Sequence, residues 1–444
     1  MIIPRIVHTA SKFPEKEALV HAGKRYSYEQ LVTEIARRAA DYQRSIRSKN
    51  VILARSNPLE NLLDLLAMMA IGKSSLFASQ QVLTEQLKEL QKLHHAFLLD
   101  DTFRSTLHEL EGITWQASTL SDRFLGVLSS GTESTPKVIW KDYQSWVSAF
   151  PYQSDVFGIN SEDRLFILDA LGYSANLNSA LHMLWQGGTV VMTNLKSAGL
   201  WGKQMEDEAI TSVFMVPSHY RLWVKVGVTL PQLRSLVCAG EKLDLPTARI
   251  LREIFPNALL TEYYGVAELG HISYQQNDDI LEFGYAVGKA FPGVKIQLID
   301  QRIRVESPYI SPDYRGINTV FDLGIMDEGR LILVGRAGQM FNRRGLNVFA
   351  EEIENSARQL DFILEVAVVG KLREDGSHDR YPAFTSRQTG NYSRQLKEHL
   401  LQSLPAAKQP RRIIECRNLP RKDHGKLDYQ ATVHLFGEEE PDFS

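Results

Sequence analysis

The stretch "GVLSSGTESTPKVIWK" (residues 126–141) places five Ser or Thr hydroxyls, a glycine and a lysine directly after a short apolar run. A loop that follows a strand can direct successive N–H groups and hydroxyls at phosphate oxygens. A Walker loop is excluded, because it needs Gly before the lysine and Ser or Thr after it, whereas Pro136 and Val138 flank Lys137. Taken alone, the stretch fits either a phosphate-binding loop or a solvated polar turn.

Length and composition describe an ordinary globular enzyme with more than one domain. The chain has 444 residues, of which 43% are hydrophobic and 23% charged. A net charge of −3 provides no broad basic surface, so neither nucleic acid nor membrane is expected as the main partner. The most apolar segment (61–72) is short and contains Asp64, which predicts a buried helix instead of a membrane span.

The two chain features that bear on location both favour the cytoplasm. Residues 1–17 lack the unbroken apolar stretch of a secretory signal, because Arg5, His8 and Lys12 interrupt it. Cys238 and Cys416 lie far apart and form no metal-ligand or redox spacing, which suits small core residues in a reducing cytosol better than a disulfide. We expect a cytoplasmic protein.

Short apolar runs alternate with helical patterns through the first half of the chain, which predicts a layered α/β architecture with buried strands. The expected strands lie at 51–54, 123–128, 164–170, 188–192 and 212–217. Closely spaced strands from about residue 290 predict a β-rich subdomain. Beyond Arg336 the pattern becomes that of a small α+β domain. The predicted boundary separates 1–336 from 337–444, at a joint with two nearby glycines (335–339).

The opening stretch resembles the phosphate loop of the adenylate-forming superfamily, which includes acyl-CoA synthetases, luciferases and peptide-synthetase adenylation domains. Further segments resemble that family's motifs and follow in its order over nearly the whole chain. They are "TEYYGVAELG" (261–270), "FDLG" (321–324), "GR" (335–336), "RRGLNVFAEEIE" (343–354) and "LPRKDHGKLDY" (419–429). Each motif alone is weak to moderate, but five in the correct order identify the family.

The resemblance implies a set of site residues. The expected ATP- or AMP-binding residues are Ser129, Ser130, Gly131, Thr132, Lys137, Gly240, Glu241, Tyr264, Gly265, Asp322 and Arg336. Within that set, Tyr264 would stack on adenine, Gly265 would let the ring approach, and Asp322 would grip the ribose hydroxyls. Glu268 would hold Mg²⁺, and Lys426 would be the catalytic lysine on a mobile C-terminal domain. The implied hinge is Gly338, and Gly345 would line the thiol's route.

The family reaction joins a carboxylate to the α-phosphate of ATP and then passes the acyl group to a thiol. The implied acid pocket contains Gly172, Tyr173 and Ser174. Ser174 stands where amino-acid-activating relatives keep an Asp, so an aryl or aliphatic acid is expected and an α-amino acid is not. The Asn347–Val348 pair favours coenzyme A as acceptor, whereas a basic rim (394–412) favours a phosphopantetheinyl carrier protein.

Four departures from the family pattern keep a third reading open, a non-catalytic relative that only binds ligand. Ala267 replaces a Thr or Ser, and Ser134 replaces the second loop glycine. Gly338 replaces the usual hinge Asp or Lys, and Asn342 replaces a common lysine. Away from their neighbours, the site residues also have ordinary explanations: Tyr264 as a strand aromatic, Glu268 and Asp322 as turn residues, and Lys426 as a surface lysine.

Overall fold

The computed structural model describes most of the chain. The described residues are 1–78, 82, 84–104, 115–128, 137–168, 171–336, 340–343, 346–372, 378–387, 390–405, 408–421 and 427–436. Within these, only the backbone is described at 320, 321, 335, 336, 340–343, 346–349, 351, 371, 372, 378, 379 and 430.

Helices and strands alternate as the sequence predicts. The described α-helices are α1 (Ile2–Lys12), α2 (Tyr28–Ser45), α3 (Pro58–Ala70), α4 (Thr84–His94), α5 (Tyr143–Val147), α6 (Phe150–Phe157), α7 (Ser174–Gln186), α8 (Ala198–Asp207), α9 (Pro217–Trp223), α10 (Leu245–Ile254), α11 (Asp278–Glu282), α12 (Ala350–Ala357), α13 (Ser393–Ser403) and α14 (Tyr429–Val433). The described strands are β1 (Glu17–His21), β2 (Lys24–Ser27), β3 (Asn50–Leu53), β4 (Ser74–Phe77), β5 (Phe97–Leu99), β6 (Arg123–Leu128), β7 (Val138–Asp142), β8 (Arg164–Leu168), β9 (Thr189–Thr193), β10 (Ser212–Met215), β11 (Ser235–Ala239), β12 (Leu259–Val266), β13 (Gly270–Gln276), β14 (Lys289–Ala290), β15 (Lys295–Ile299), β16 (Arg302–Glu306), β17 (Thr319–Asp327), β18 (Arg330–Arg336), β19 (Met340–Arg343), β20 (Leu346–Phe349), β21 (Ile363–Leu372), β22 (His378–Ser386) and β23 (Ile414–Glu415).

Two largely parallel sheets form the N-terminal domain. One has the order β5-β3-β4-β6-β7, and the other has the order β14-β13-β12-β11-β10-β8-β9-β1-β2. Helix α3 confirms the prediction of a buried helix, because its Asp64 is fully buried and pairs with Arg38 and Arg55 at 2.5 Å each. Ser27 and Gln30 form the capping box that begins α2.

Smaller sheets follow these two along the chain. An antiparallel sheet of order β15-β16-β17-β18 confirms the β-rich subdomain, and the hairpin β19-β20 comes next. The C-terminal domain has the sheet β21-β22-β23, with α12 and α13 packed in its core. The predicted α/β class with a small α+β domain is therefore confirmed, whereas a boundary directly after residue 336 stays a prediction.

One predicted strand is too long. The strand expected at 212–217 ends at Met215, and Pro217 instead opens α9. Proline suits the first turn of a helix, since the N–H that it lacks would have no partner there.

Two smaller predictions concern cysteines and membrane spans. Cys238 is buried and Cys416 half-buried, and both are free thiols, as expected. Within the described ranges, no helix combines the length and apolar character that crossing a membrane requires. The cytoplasmic location stays a prediction.

Candidate functional site

Three groups of predicted site residues lie at one edge of the nine-stranded sheet. Strands β8, β10, β11 and β12 run parallel, so their carboxyl ends lie at the same edge, which is where ligands bind in open α/β sheets. Residues 171–174 follow β8, and Gly240 and Glu241 follow β11. Tyr264 lies near the carboxyl end of β12.

Tyr264 and Asp322, the residues expected at the adenine and the ribose, are in contact. The Tyr264 hydroxyl donates to Oδ2 of Asp322 at 2.5 Å, although 58 positions separate them in sequence. Asp322 is nearly buried in the middle of β17, so the alternative that it begins a turn is wrong. The backbone of Asp322 is in register with that of Arg336 in β18, which places these two predicted residues on neighbouring strands.

Glu268 lies in the turn that joins β12 to β13. Next to this turn, the two strands come so close together that one position must be glycine. A Cβ atom at Gly265 would lie 2.5 Å from the carbonyl oxygen of Gly270. The strand register also shifts between Tyr264 and Gly265. The hairpin backbone therefore explains Gly265 without any ligand, and the expected approach of an adenine ring stays a prediction.

A buried lysine that the sequence analysis missed lies under this turn. Lys141 in β7 is 1% exposed, and its Nζ donates to the main-chain carbonyl of Ala267 and, at 2.6 Å, to Oγ of Ser311. Burial lowers the pKa of Lys141 to about 7, although the negative charges of Glu268 and Asp142 oppose this shift. Ser311 also donates its backbone N–H to the carbonyl of Glu268 at 2.9 Å.

Residues 311–315 form a polar strap along β7. Besides the Ser311–Lys141 contact, Arg315 pairs with Asp142 at 2.7 Å, and Nζ of Lys137 lies 5.2 Å from the ring centroid of Tyr314. Lys137 is the first described residue after 129–136. The polar strap therefore links the end of the predicted phosphate loop to the Glu268 turn, which the sequence separates by more than a hundred residues.

The predicted acid pocket borders an aromatic cluster. Tyr173 directly precedes α7 without a side-chain capping hydrogen bond, and Ser174 is the first residue of that helix. Tyr173 is close enough to Tyr263 to influence the pKa of the Tyr263 phenol, which burial raises well above its usual range. The Tyr263 ring lies 4.7 Å from that of His271, whose pKa burial lowers to about 3. The interior behind the predicted acid pocket is therefore aromatic and uncharged.

The donor set near Glu268 fits magnesium better than a metal held by protein alone. Among the described residues, no group of three or more His, Cys, Asp or Glu side chains could hold a metal ion. Magnesium is usually bound by one or two carboxylates together with substrate phosphates. One carboxylate at Glu268, in a turn linked to the predicted phosphate loop, matches that requirement.

Several predicted site residues lie outside the described part of the chain. They are Ser129, Ser130, Gly131, Thr132, Gly338, Gly345 and Lys426. The residues flanking 422–426 are described: Arg421 and Leu427 form an antiparallel bridge. Nη1 of Arg421 lies 3.8 Å from Oε1 of Glu241, so this C-terminal segment begins beside the N-terminal domain's ligand edge.

Glu241 and its neighbours form a second feature that the sequence analysis did not find. The carboxylate of Glu241 pairs with Arg221 of α9 at 3.2 Å, and Arg221 also pairs with Glu365 at 3.1 Å. The family motifs point to Glu241 as a nucleotide-binding residue but not to these ion pairs, because the spacing of the partners in sequence is unrelated to their contact. Lys141 did leave a signal, since it is a charge within the apolar strand "VIWKD" (138–142).

Comparison with known proteins gives one family and a consistent fold. The family model described as "AMP-binding enzyme" matches residues 68–309. The chain is 22% identical to VraA of Staphylococcus epidermidis, named provisionally as a long chain fatty acid-CoA ligase, over 98% of each protein. It is 26% identical to the vibriobactin-specific 2,3-dihydroxybenzoate-AMP ligase of Vibrio cholerae, over 70% of this chain and 63% of that one.

The fold agrees with solved structures. The ATP-bound structure of MatB from Rhodopseudomonas palustris superposes with a TM-score of 0.84 at 19% identity, covering 98% of this chain and 99% of that one. At this identity the likeness concerns the fold, and it covers both the N-terminal and the C-terminal domain.

Proposed function

Because the family model covers more than half of its length, the chain belongs to the AMP-binding enzyme family, and from this we propose that it is an ATP-dependent acid–thiol ligase. It would activate an aryl or aliphatic carboxylic acid to an acyl-adenylate and transfer the acyl group to coenzyme A. The observation that carries the proposal is the 2.5 Å contact between Tyr264 and Asp322 at the sheet's carboxyl edge. It brings together the two residues expected to hold the nucleoside.

The first half-reaction needs positioning more than proton transfer. A carboxylic acid is already ionised near neutral pH, so it can attack the α-phosphate without a general base. Tyr264 and Asp322 would hold adenosine, while Lys137 and the preceding loop would hold the triphosphate. Magnesium, bound at Glu268, would neutralise charge on the phosphates. Lys426 would donate hydrogen bonds to the carboxylate and the α-phosphate as the new bond forms.

The residues around Ala267 support a catalytic site, although Ala267 lacks the hydroxyl donor of the Thr or Ser that the family usually has at this position. Loss of a hydrogen bond to a charged acceptor costs about 1.5–3 kcal/mol. Lys141 contacts the carbonyl of this position and supplies a hydrogen-bond donor there, with a pKa of about 7 that leaves it partly protonated at neutral pH. A buried ammonium is costly unless it is hydrogen-bonded, and Lys141 meets this requirement through Ala267 and Ser311. We favour a working site because a hydrogen-bond donor remains next to position 267.

The choice of acid rests on the wall formed by residues 171–174 and the aromatic cluster behind it. Ser174 offers a hydroxyl and no negative charge for an α-amino group. Behind this wall, Tyr263 and His271 are buried against each other, and the low pKa of His271 keeps its imidazole neutral at neutral pH. We therefore favour an uncharged aryl or aliphatic side chain on the acid.

Acid-dependent release of pyrophosphate from ATP tests the proposal. The purified protein is incubated with Mg²⁺, ATP and a panel of aliphatic, aryl and α-amino acids. We expect release with at least one aliphatic or aryl acid and none with α-amino acids. No release with any acid in the panel would favour the non-catalytic alternative.

The acceptor is tested separately. After acyl-adenylate formation, coenzyme A and a phosphopantetheinylated carrier protein are compared as thiols. Thioester with coenzyme A supports the proposal. Transfer only to the carrier would support the alternative.

A further inference from the structure

The carboxylate of Glu262 is a buried acceptor that holds the loop after β11. Glu262 lies in β12, and its side chain is 4% exposed. Its Oε1 accepts the main-chain N–H of Leu243 at 2.7 Å, and its Oε2 accepts from Nζ of Lys242 and, at 2.8 Å, from the side-chain amide of Gln275. Three donors therefore converge on one carboxylate, and two of them belong to the segment 240–244, here called the β11 loop.

The other polar side chains of the β11 loop also have partners. Arg221 of α9 pairs with Glu241 at 3.2 Å and with Asp244 at 3.1 Å. Asp244 also caps α10 by accepting the N–H of Thr247 at 3.0 Å. Gly240 begins the loop with a φ of 90°, a left-handed conformation that glycine adopts without strain. Each of the four residues that follow Gly240 thus has a partner outside the loop, which favours a single loop shape.

Glu262 lies next to the residues expected to hold the nucleotide. Alternate side chains of a strand point to the same face, so Glu262 and Tyr264 share one face of β12. The hydroxyl of Tyr264 contacts Asp322. In the β11 loop, Gly240 and Glu241 are themselves expected ATP-binding residues. The loop and β12 meet at the carboxyl edge of the sheet, because β11 and β12 are parallel neighbours, and Glu262 joins them.

The charge of Glu262 matters because the carboxylate is buried. Removing one partner of a buried ion pair is strongly destabilising, since it leaves the other charge without compensation. Lys242, whose side chain is 16% exposed, is the cation that balances Glu262. If Glu262 lost its charge, Lys242 would be more stable turned toward water, and the adjacent Leu243 would be displaced with it. The β11 loop would then adopt several shapes in place of one.

We propose that Glu262 is a positioning residue: through Lys242 and the N–H of Leu243, it holds the β11 loop in the shape that binds the adenine nucleotide. This inference rests on the proposed function. It assigns no contact with the nucleotide to Glu262 itself, whose carboxylate already accepts from three protein donors.

Asp163 provides a matched control at the opposite edge of the same sheet. It is 1% exposed and directly precedes β8, at the amino end of that strand. Its carboxylate accepts the main-chain N–H of Asn160 at 2.8 Å, the hydroxyl of Thr211 at 2.6 Å and the guanidinium of Arg234 at 2.5 Å. Glu262 and Asp163 therefore share the same three kinds of donor, a main-chain N–H, a neutral side chain and a cation, but only Glu262 lies at the ligand edge.

The test compares Glu262→Gln with Asp163→Asn in the full chain. Isothermal titration calorimetry with Mg²⁺-ATP and no acid should show binding about tenfold weaker in E262Q, because apparent affinity falls with the fraction of protein whose loop is competent to bind. D163N should bind ATP as the unaltered protein does. In acid-dependent pyrophosphate exchange, E262Q should raise the KM for ATP by a similar factor and leave kcat nearly unchanged, the pattern of a lost binding contribution.

Two substitutions of Lys242 test the same contact from the loop, and they serve if E262Q does not fold. Lys242→Met removes the cation and should also weaken ATP binding. Lys242→Arg retains the charge and should recover most of the affinity that K242M loses. Urea unfolding of every variant separates this effect from a general loss of stability, which E262Q and D163N should share although only E262Q loses affinity.

The outcomes separate the inference from the proposed function. ATP affinities in E262Q and K242M equal to that of the unaltered protein would overturn the positioning role, and so would an equal loss of affinity in D163N. A lower kcat at an unchanged KM would overturn it as well. If the unaltered protein binds ATP but shows no acid-dependent exchange, the proposed function fails, and the binding measurements still decide the role of Glu262. An unaltered protein that binds no ATP would overturn both.

Discussion

The ammonium of Lys141 donates to the main-chain carbonyl of Ala267, the residue that precedes Glu268. Ser311 donates to the same carbonyl at 3.0 Å, so a buried amine and a hydroxyl together fix the turn that contains the expected magnesium ligand. Strand β7 and the polar strap, which are distant in sequence, thereby donate to the same carbonyl of Ala267. The position of Glu268 depends on both.

Lys141→Met should weaken binding of Mg²⁺-ATP by about tenfold or more, since a hydrogen bond to a charged group contributes about 1.5–3 kcal/mol. Lys73→Met is the matched control, because Nζ of Lys73 also donates to a carbonyl, that of Ser48 at 2.8 Å, but lies at the amino end of β4, away from the ligand edge. Isothermal titration calorimetry measures both. Equal affinities in K141M and K73M would contradict a role for the Lys141 charge.

Substitutions at Tyr264 distinguish a role of its ring in binding ATP from a role of its hydroxyl, which contacts Asp322. Tyr264→Phe keeps the stacking face and should leave the KM for ATP nearly unchanged. Tyr264→Ala should raise it substantially, because stacking of an aromatic side chain on a base contributes about 1–3 kcal/mol. Asp322→Asn should also raise KM, since its charge would no longer attract the ribose hydroxyls. A rise in KM with Y264F as large as that with Y264A would show that the hydroxyl, and not the ring, binds ATP.

Lys426→Ala should abolish acyl-adenylate formation and spare thiol transfer from supplied acyl-adenylate, because only the first step develops charge at the α-phosphate. Lys408→Ala serves as the control, since Lys408 pairs with Glu352 at 2.6 Å within the C-terminal domain. Pyrophosphate exchange and thioester formation are assayed separately. If K426A impairs both steps equally, the lysine is not specific to adenylation.

Buried His182 should make the N-terminal domain sensitive to acid. Burial lowers its pKa from 6.5 to about 3, so the unfolded chain takes up a proton first as the pH falls. Its contribution to stability is complete above pH 6.5 and is lost progressively toward pH 3, at about 1.4 kcal/mol per pH unit. Urea unfolding of His182→Asn should therefore show a smaller loss between pH 7 and pH 5, by about 2 kcal/mol. An identical loss in both proteins would contradict this.

Local sequence patterns predicted most of the helices and strands, because the apolar runs and capping residues that define an element lie within that element. Strand β6 is observed at 123–128, as the apolar run indicates, and Ser27 caps α2 with Gln30 as its partner. Glu268 lies in a turn, and Tyr264 lies in a strand, as their ordinary explanations required. Sequence alone could not reveal that Tyr264 also contacts Asp322.

No local sequence pattern predicted the ion pairs between the two domains. Arg221, Glu241 and Arg421 belong to segments that only the folded chain brings together, and a surface arginine looks the same in sequence whether or not it has a buried partner. Gly265 shows the opposite situation, a motif residue that also has a structural reason. Its motif predicts a ligand contact, which stays a prediction, while the close approach of the hairpin backbone already requires glycine there.

The polar strap has a consequence for where this protein can be divided. The family match ends at residue 309, two positions before Ser311. A fragment cut at 309 would keep Lys141 in its strand but remove the hydroxyl beside its ammonium, and would also leave Asp142 without Arg315. The smallest independently useful piece of the N-terminal domain must therefore extend past the boundary that similarity alone would draw.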